Sequence, residues 1–157
     1  MGLTRRRCLV LLGAAAVGLL APRRARSQTP APRVATPAPP ELVAALRAAI
    51  ESARRRFEAR DLAGVLASVS ERYRSAGLTK AALREQLAAI FALYAEVRAQ
   101  VGLDVVQLVD GAPWVYTTGA LSGRLPYVGW VTMLSWEHQP EVARREDTTW
   151  RLYGFQD

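Results

Sequence analysis

The sequence predicts an α+β fold, with three helices followed by a four-strand antiparallel meander. Two changes along the chain carry this. Apolar residues recur every three or four positions between residues 41 and 94, the period of a helix with one buried face. From residue 97 onward they alternate with polar ones, the period of a half-buried strand. A third observation, the Asp110-Gly111 pair between two alternating runs, is a strong hairpin signal.

Each element has a local reason. Leu42, Leu46, Ile50, Ala53 and Phe57 form one apolar stripe, and Pro40-Glu41 suits a helix start, because proline lacks a donor that the first turn cannot use. Asp61 is placed to cap a short second helix through Leu62, Val65, Leu66 and Val69. Thr79 caps a third, with Leu83, Leu87, Ile90, Phe91 and Tyr94 on its apolar side. Val97, Ala99, Val101, Leu103 and Val105 alternate as a strand. A second strand is expected over 114–121, broken by Ser122-Gly123-Arg124-Leu125-Pro126. A long strand follows over 127–138, then a charged turn over 141–147 and a final strand over 148–155. Helices on one side leave an antiparallel sheet with a second face. Alternation puts Trp114, Tyr116 and Thr118 on one face of their strand, and Trp130, Thr132, Leu134 and Trp136 on one face of theirs.

The chain is 157 residues long, half of them hydrophobic, which suits one domain plus an export segment and excludes a large multidomain enzyme. The formal charge of +7 points to a nucleic-acid partner only until it is divided along the chain. Residues 1–27 hold six arginines and no acid, so residues 28–157 carry 15 basic against 14 acidic side chains. A body this near neutral has no stripe for phosphates, and no nucleic-acid partner is expected.

Residues 1–27 read as an export signal: a basic start, an uncharged run from Cys8 to Ala21, and small residues at Ala25 and Ser27 before a cleavage point near Gln28. The run is shorter than the roughly 20 residues a bilayer span needs. Thr4-Arg5-Arg6-Arg7-Cys8-Leu9-Val10 resembles the twin-arginine signal, with Cys8 at the usual phenylalanine position; general secretion is the alternative route. A periplasmic or secreted protein is expected, with membrane contact only through this transient segment. Cys8 is the only cysteine, so the exported chain would have no disulfide, thiolate metal site or cysteine nucleophile. Residues 28–40 hold five prolines and read as an extended linker, which leaves 41–157 as the domain.

Two stretches carry a family resemblance. Phe57-Glu58-Ala59-Arg60-Asp61-Leu62-Ala63-Gly64-Val65-Leu66 is similar to the opening of the nuclear transport factor 2-like (NTF2-like, SnoaL-like) superfamily, where a helix ends at an acidic residue and a short second helix begins. Thr149-Trp150-Arg151-Leu152-Tyr153-Gly154 resembles its closing strand. Over residues 41–157 the resemblance implies three helices packed in a strongly curved, cone-shaped antiparallel sheet of cystatin-like type, with a pocket inside. Members include isomerases, cyclases, dehydratases and hydrolases as well as binding modules, so the fold does not choose an activity. Enzymes of the family usually hold an Asp–His or Tyr–Asp combination in the pocket. On the closing strand several place a polar residue where this chain has Gly154, a departure that weighs against catalysis.

The candidate acid/base residues are Asp104, Tyr116 and His138. His138 is the only histidine, a residue type suited to general-base work in a pocket, but it stands beside Gln139-Pro140, where the strand is expected to end at the surface. Asp104 lies in an apolar stretch and, by alternation, shares a face with Arg98, Gln100 and Val106. Tyr94, Trp114, Tyr116, Trp130 and Trp136 are the candidate walls of a hydrophobic pocket, or equally of ordinary core and dimer contacts. Arg54-Arg55-Arg56 and Arg144-Arg145 have acids close by and read as solvated faces. No metal site and no cofactor is expected. Two functions fit: a binding or accessory module for a hydrophobic small molecule or a protein partner, and a small pocket enzyme doing proton-transfer chemistry. A homodimer through the sheet fits either. A buried carboxylate beside a tyrosine or histidine would favour the enzyme.

Overall fold

A computed structural model describes residues 34–155. The signal-like segment 1–27 and the first part of the proline-rich stretch, to residue 33, lie outside the described residues. The first helix, α1 (Pro40–Glu58), starts at Pro40 and buries Leu46 and Phe57 from the predicted stripe. Asp61 caps α2 (Leu62–Ala67), accepting from the Gly64 N–H at 2.9 Å. Thr79 caps α3 (Lys80–Leu93) through the Ala82 N–H at 3.2 Å, and α3 buries Leu87 and Phe91. All three helices begin where the sequence places them.

The main sheet is antiparallel, with strand order β1-β4-β5-β6-β7, and it is strongly curled. Its members are β1 (Ala35–Pro37), β4 (Glu96–Val109), β5 (Ala112–Leu125), β6 (Gly129–Glu146) and β7 (Thr149–Gly154); β2 (Arg74–Ser75) and β3 (Leu78–Thr79) form a separate ribbon. Part of the proline-rich stretch thus becomes an edge strand, pairing Ala35 with Val109. The Asp110-Gly111 turn has both φ angles positive, 52° and 77°, as a two-residue hairpin loop requires.

Three expectations are corrected here. Residues 122–125 do not break a strand: β5 continues to Leu125, with Ser122 opposite Arg98 and Arg124 opposite Glu96. Pro140 does not end one, because β7 runs beside only Val142–Glu146 and leaves β6 an open edge at Pro140, where a missing donor is tolerated. The charged run 141–147 is therefore mostly strand, and the turn shrinks to residues 147–148.

Bulges set the curvature and exchange the faces. Register shifts fall between Leu103 and Val105, between Thr117 and Gly119, between Leu121 and Ser122, and between Val142 and Ala143. The first inserts Asp104, so Val97 and Ala99 are buried before it and Val106 after it. Asp104 therefore does not share a face with Val106. The third splits the expected face of β6. Trp130 lies outside, its ring 3.9 Å from the Arg98 guanidinium, while Leu134 and Trp136 turn inward.

The inner face is covered in two clusters. Phe57, Leu66, Leu87 and Phe91 from the helices meet Val97 and Ala99 from β4, with the Phe57 and Phe91 rings 5.4 Å apart. Leu46 of α1 meets Val106, Val115 and Ala143 across three strands. Burying each such aliphatic or aromatic side chain contributes roughly 1.5–3 kcal/mol. Arg60 ties the α1–α2 connection to the C-terminal end of α3, donating to the carbonyls of Phe91 and Ala95.

Candidate functional site

A cavity of about 690 Å³ opens on the inner side of the sheet, in the size range of small-molecule sites. Leu121 of β5, Leu134 and Trp136 of β6 and Leu78 of β3 form its apolar wall; Gln86 of α3 and Thr117, Ser135 and Gln139 of the sheet supply neutral polar groups. Two ionisable side chains complete it, Tyr73 and Glu141.

The fold brings these two together by a chain of backbone bonds. After α2 the main chain runs alongside β7: the Leu152 N–H donates to the Ser68 carbonyl and the Ser70 N–H to the Leu152 carbonyl, both at 2.9 Å. The Tyr73 N–H then donates to the Ser70 carbonyl at 3.0 Å, which closes the turn that carries its side chain. On the other side of β7, Gly154 pairs with Val142, the neighbour of Glu141. Tyr73 is 6% exposed, and its phenol is pushed above its ordinary range by burial and by the Glu141 charge, with a contact to Ser75 acting the other way. Glu141 is partly buried, and loss of water around the carboxyl pushes it up from 4.5 to about 7.

Two glycines shape this region. Gly154 has φ of +84°, and a β-carbon on it would stand 2.0 Å from the Arg74 carbonyl oxygen. Backbone therefore closes the space beside Gly154, and the carboxylate that lines the cavity is Glu141, on the adjacent strand. A β-carbon on Gly119 would lie 2.6 Å from the Trp136 ring, so that glycine lets the indole pack against β5. The Trp136 indole N–H donates to Thr117 Oγ1 at 3.0 Å and fixes the ring in the wall.

Asp104, Tyr116 and His138 do come together, but on the outer face. Thr118 Oγ1 donates to Asp104 Oδ2 at 2.8 Å and accepts from the His138 N–H at 3.0 Å. His138 Nδ1 lies 3.4 Å from Asp104 Oδ2, and its ring stacks on Tyr116 at 4.7 Å. The His138 side chain is 60% exposed, at a bulge where its own φ is 46°. These three residues line no part of the cavity, so the expectation of a pocket role for them is corrected. Asp104 keeps the outer side that alternation from Arg98 gives it, and the extra residue of β6 opposite Thr118 brings His138 to the same side.

The expected aromatic wall is corrected likewise. Of Tyr94, Trp114, Tyr116, Trp130 and Trp136, only Trp136 lines the cavity. Tyr94 packs in the helix-side core and against Gly123; Trp114 shares the outer face with Tyr116 and stacks edge-on against Phe155 at 5.4 Å. Sequence reasoning missed Tyr73, Gln86, Gln139 and Glu141. The signal for Glu141 is the alternation Gln139, Glu141, Ala143, hidden inside a run rich in charge.

A second void of about 40 Å³ beneath α1 is walled by Leu46, Ile50, Val115 and Trp150 among others, which is room for little more than a water molecule or two. Among the described residues no group of three or more His, Cys, Asp or Glu side chains is placed to hold a metal ion.

No protein-family model matches the chain, and no curated protein matches it. Solved structures do. Aln2 from a Streptomyces species superposes with a TM-score of 0.60 at 12% identity, covering 76% of this chain and 90% of that one. A proposed dehydratase of the NTF2-like family from Streptomyces avermitilis gives 0.57 at 13%, covering 74% and 94%. Bd1075 from Bdellovibrio bacteriovorus gives 0.55 at 13% over 69% of this chain, which spans only 38% of Bd1075. At such identities the likeness concerns the fold. The curled sheet, the three helices on its inner side and these neighbours together show that the chain has the NTF2-like, cystatin-like α+β fold.

Proposed function

We propose that the cavity is a catalytic pocket in which Glu141 moves a proton on a small hydrophobic substrate, with Tyr73 as the supporting hydroxyl. One observation carries this reading: a carboxyl poised at about 7 stands beside a buried tyrosine in the same cavity. A general base works best when its proton affinity matches the ambient pH, and burial of Glu141 sets that match. The ionised carboxylate can take a proton from carbon next to a carbonyl. The Tyr73 O–H can donate to the carbonyl oxygen as negative charge develops there, and Glu141 can return the proton at another carbon. This is isomerase, cyclase or dehydratase chemistry. It ranks above the binding-module reading because a purely apolar cavity would serve binding alone.

The test is exchange of the α-hydrogens of 2-tetralone, an uncharged cyclic ketone, followed by proton NMR in deuterated buffer. Wild type should accelerate exchange, and Glu141→Gln should lose about a hundredfold or more of the acceleration. Exchange unaffected by Glu141→Gln would reject the proposal.

We also propose that two copies of the chain meet through the outer face of the sheet. The helices cover the inner face, while the outer one carries Trp114, Tyr116 and Trp130, the last 37% exposed. An uncovered aromatic face is the kind of surface that a second copy buries.

A further inference from the structure

The wall of the cavity also says which ligands it refuses. None of the described residues lining it is lysine, arginine or histidine. Cations close by in sequence are turned elsewhere: the Arg72 and Arg144 guanidinium groups lie 5.8 and 3.9 Å from the centre of the Tyr153 ring. Arg74 donates to the Tyr73 carbonyl at 2.7 Å, and Lys80 donates to the Val69 carbonyl and to Glu71, both at 2.7 Å. Both open onto a separate surface cleft shared with Glu71 and Arg84. The acid in the cavity therefore has no cation to share with an incoming anion.

Neutral partners are plentiful. Gln86 and Gln139 line the cavity. Thr117 already accepts from Trp136, which leaves its own hydroxyl proton to donate to an occupant. Trp136, Leu121 and Leu134 offer a surface for a ring.

Resting on the reading of this cavity as the functional site, we propose that Glu141 excludes carboxylates and phosphates, so that the cavity selects uncharged ligands. An anion entering would lose its water with no cation to replace it. It would also face the Glu141 carboxylate at short range in a medium of low polarity, where like charges repel strongly. Tyr73 is the titratable group that faces Glu141 across the cavity, and it stays protonated until well above neutrality. Glu141 alone sets the sign of the charge there.

The experiment compares two probes of the same shape near pH 8 on the full-length chain: 2-naphthol, which is neutral, and 2-naphthoate, which is an anion. The readout is the NMR signal of the Trp136 indole N–H, which reports the cavity itself. Naphthol is expected to shift and saturate this signal, with naphthoate at least about tenfold weaker. Glu141→Gln is expected to shrink that gap to about threefold or less. Naphthoate binding as tightly as naphthol in wild type, or an unchanged gap in Glu141→Gln, would overturn the charge selection while leaving the cavity reading in place. If neither probe moved the Trp136 signal, the cavity reading would fall, and this proposal with it.

Discussion

Burial and the Glu141 carboxylate together raise the ionisation point of the Tyr73 phenol in one cavity, and none of the described residues lining that cavity carries a positive charge to compensate. The pair is joined through β7, which binds the turn before Tyr73 on one side and the strand carrying Glu141 on the other. Its properties follow from that arrangement and lead to measurable consequences.

Stability should depend on the protonation of Glu141. Its native pKa is raised from 4.5 to about 7, so the folded protein binds this proton more tightly than the unfolded chain does. The contribution is full below about 4.5 and is lost as pH rises through about 7. Wild type should lose up to about 3 kcal/mol across this window relative to Glu141→Gln, which cannot ionise. Urea unfolding of both proteins at the two ends of the window checks this; parallel pH profiles would refute it.

Gly154 should not tolerate a side chain. Its φ of +84° and the 2.0 Å approach to the Arg74 carbonyl mean that Gly154→Ala must either strain the backbone or push β2 away from β7. A loss of roughly 2 kcal/mol or more is expected. Denaturant midpoints would show it, and an unchanged midpoint would mean that β2 does not sit against β7.

The outer-face cluster should be dispensable for chemistry. His138→Ala and Asp104→Asn remove an exposed interaction around Thr118, on the side of the sheet away from the cavity. Ketone exchange should stay within about twofold of wild type in both, well short of the hundredfold loss that removal of a general base causes. A neutral-pH limb that vanished only in His138→Ala would relocate the active group to the outer face.

Self-association should depend on Trp130. Sedimentation of wild type is expected to show a dimer at micromolar concentration, and Trp130→Glu a monomer, since a charge on an apolar contact face opposes its burial. A wild-type monomer would exclude the sheet-face interface.

The helices were legible in the sequence because their signals are local. Asp61 and Thr79 sit directly before apolar stripes, and both cap as their position implies. The four long strands were legible in order, and Asp110-Gly111 located one turn to the residue, but the edge strand β1 and the β2–β3 ribbon were not expected. What was not legible was which face each residue takes. A single inserted residue reverses the alternation, and the insertions at Asp104 in β4 and at two places in β6 depend on partners far along the chain. That is why Trp130 and Trp136, six positions apart, face opposite sides, and why Asp104 and His138 meet outside the cavity. Glu141 was missed for a related reason. A run containing Glu141, Arg144, Arg145, Glu146 and Asp147 reads as a solvated turn until the pairing of Ala143 with Leu152 shows that most of it is strand.

Glu141 should hold its proton up to neutrality because the cavity removes its water, and the proposed chemistry depends on that. Carbon NMR of the glutamate side-chain carboxyls, with the Glu141 signal assigned by its loss in Glu141→Gln, measures this directly as pH is raised. The expected midpoint is about 7. A midpoint near 4.5, the ordinary glutamate value, would show a hydrated carboxylate and contradict the assignment of Glu141 as the proton-transfer group.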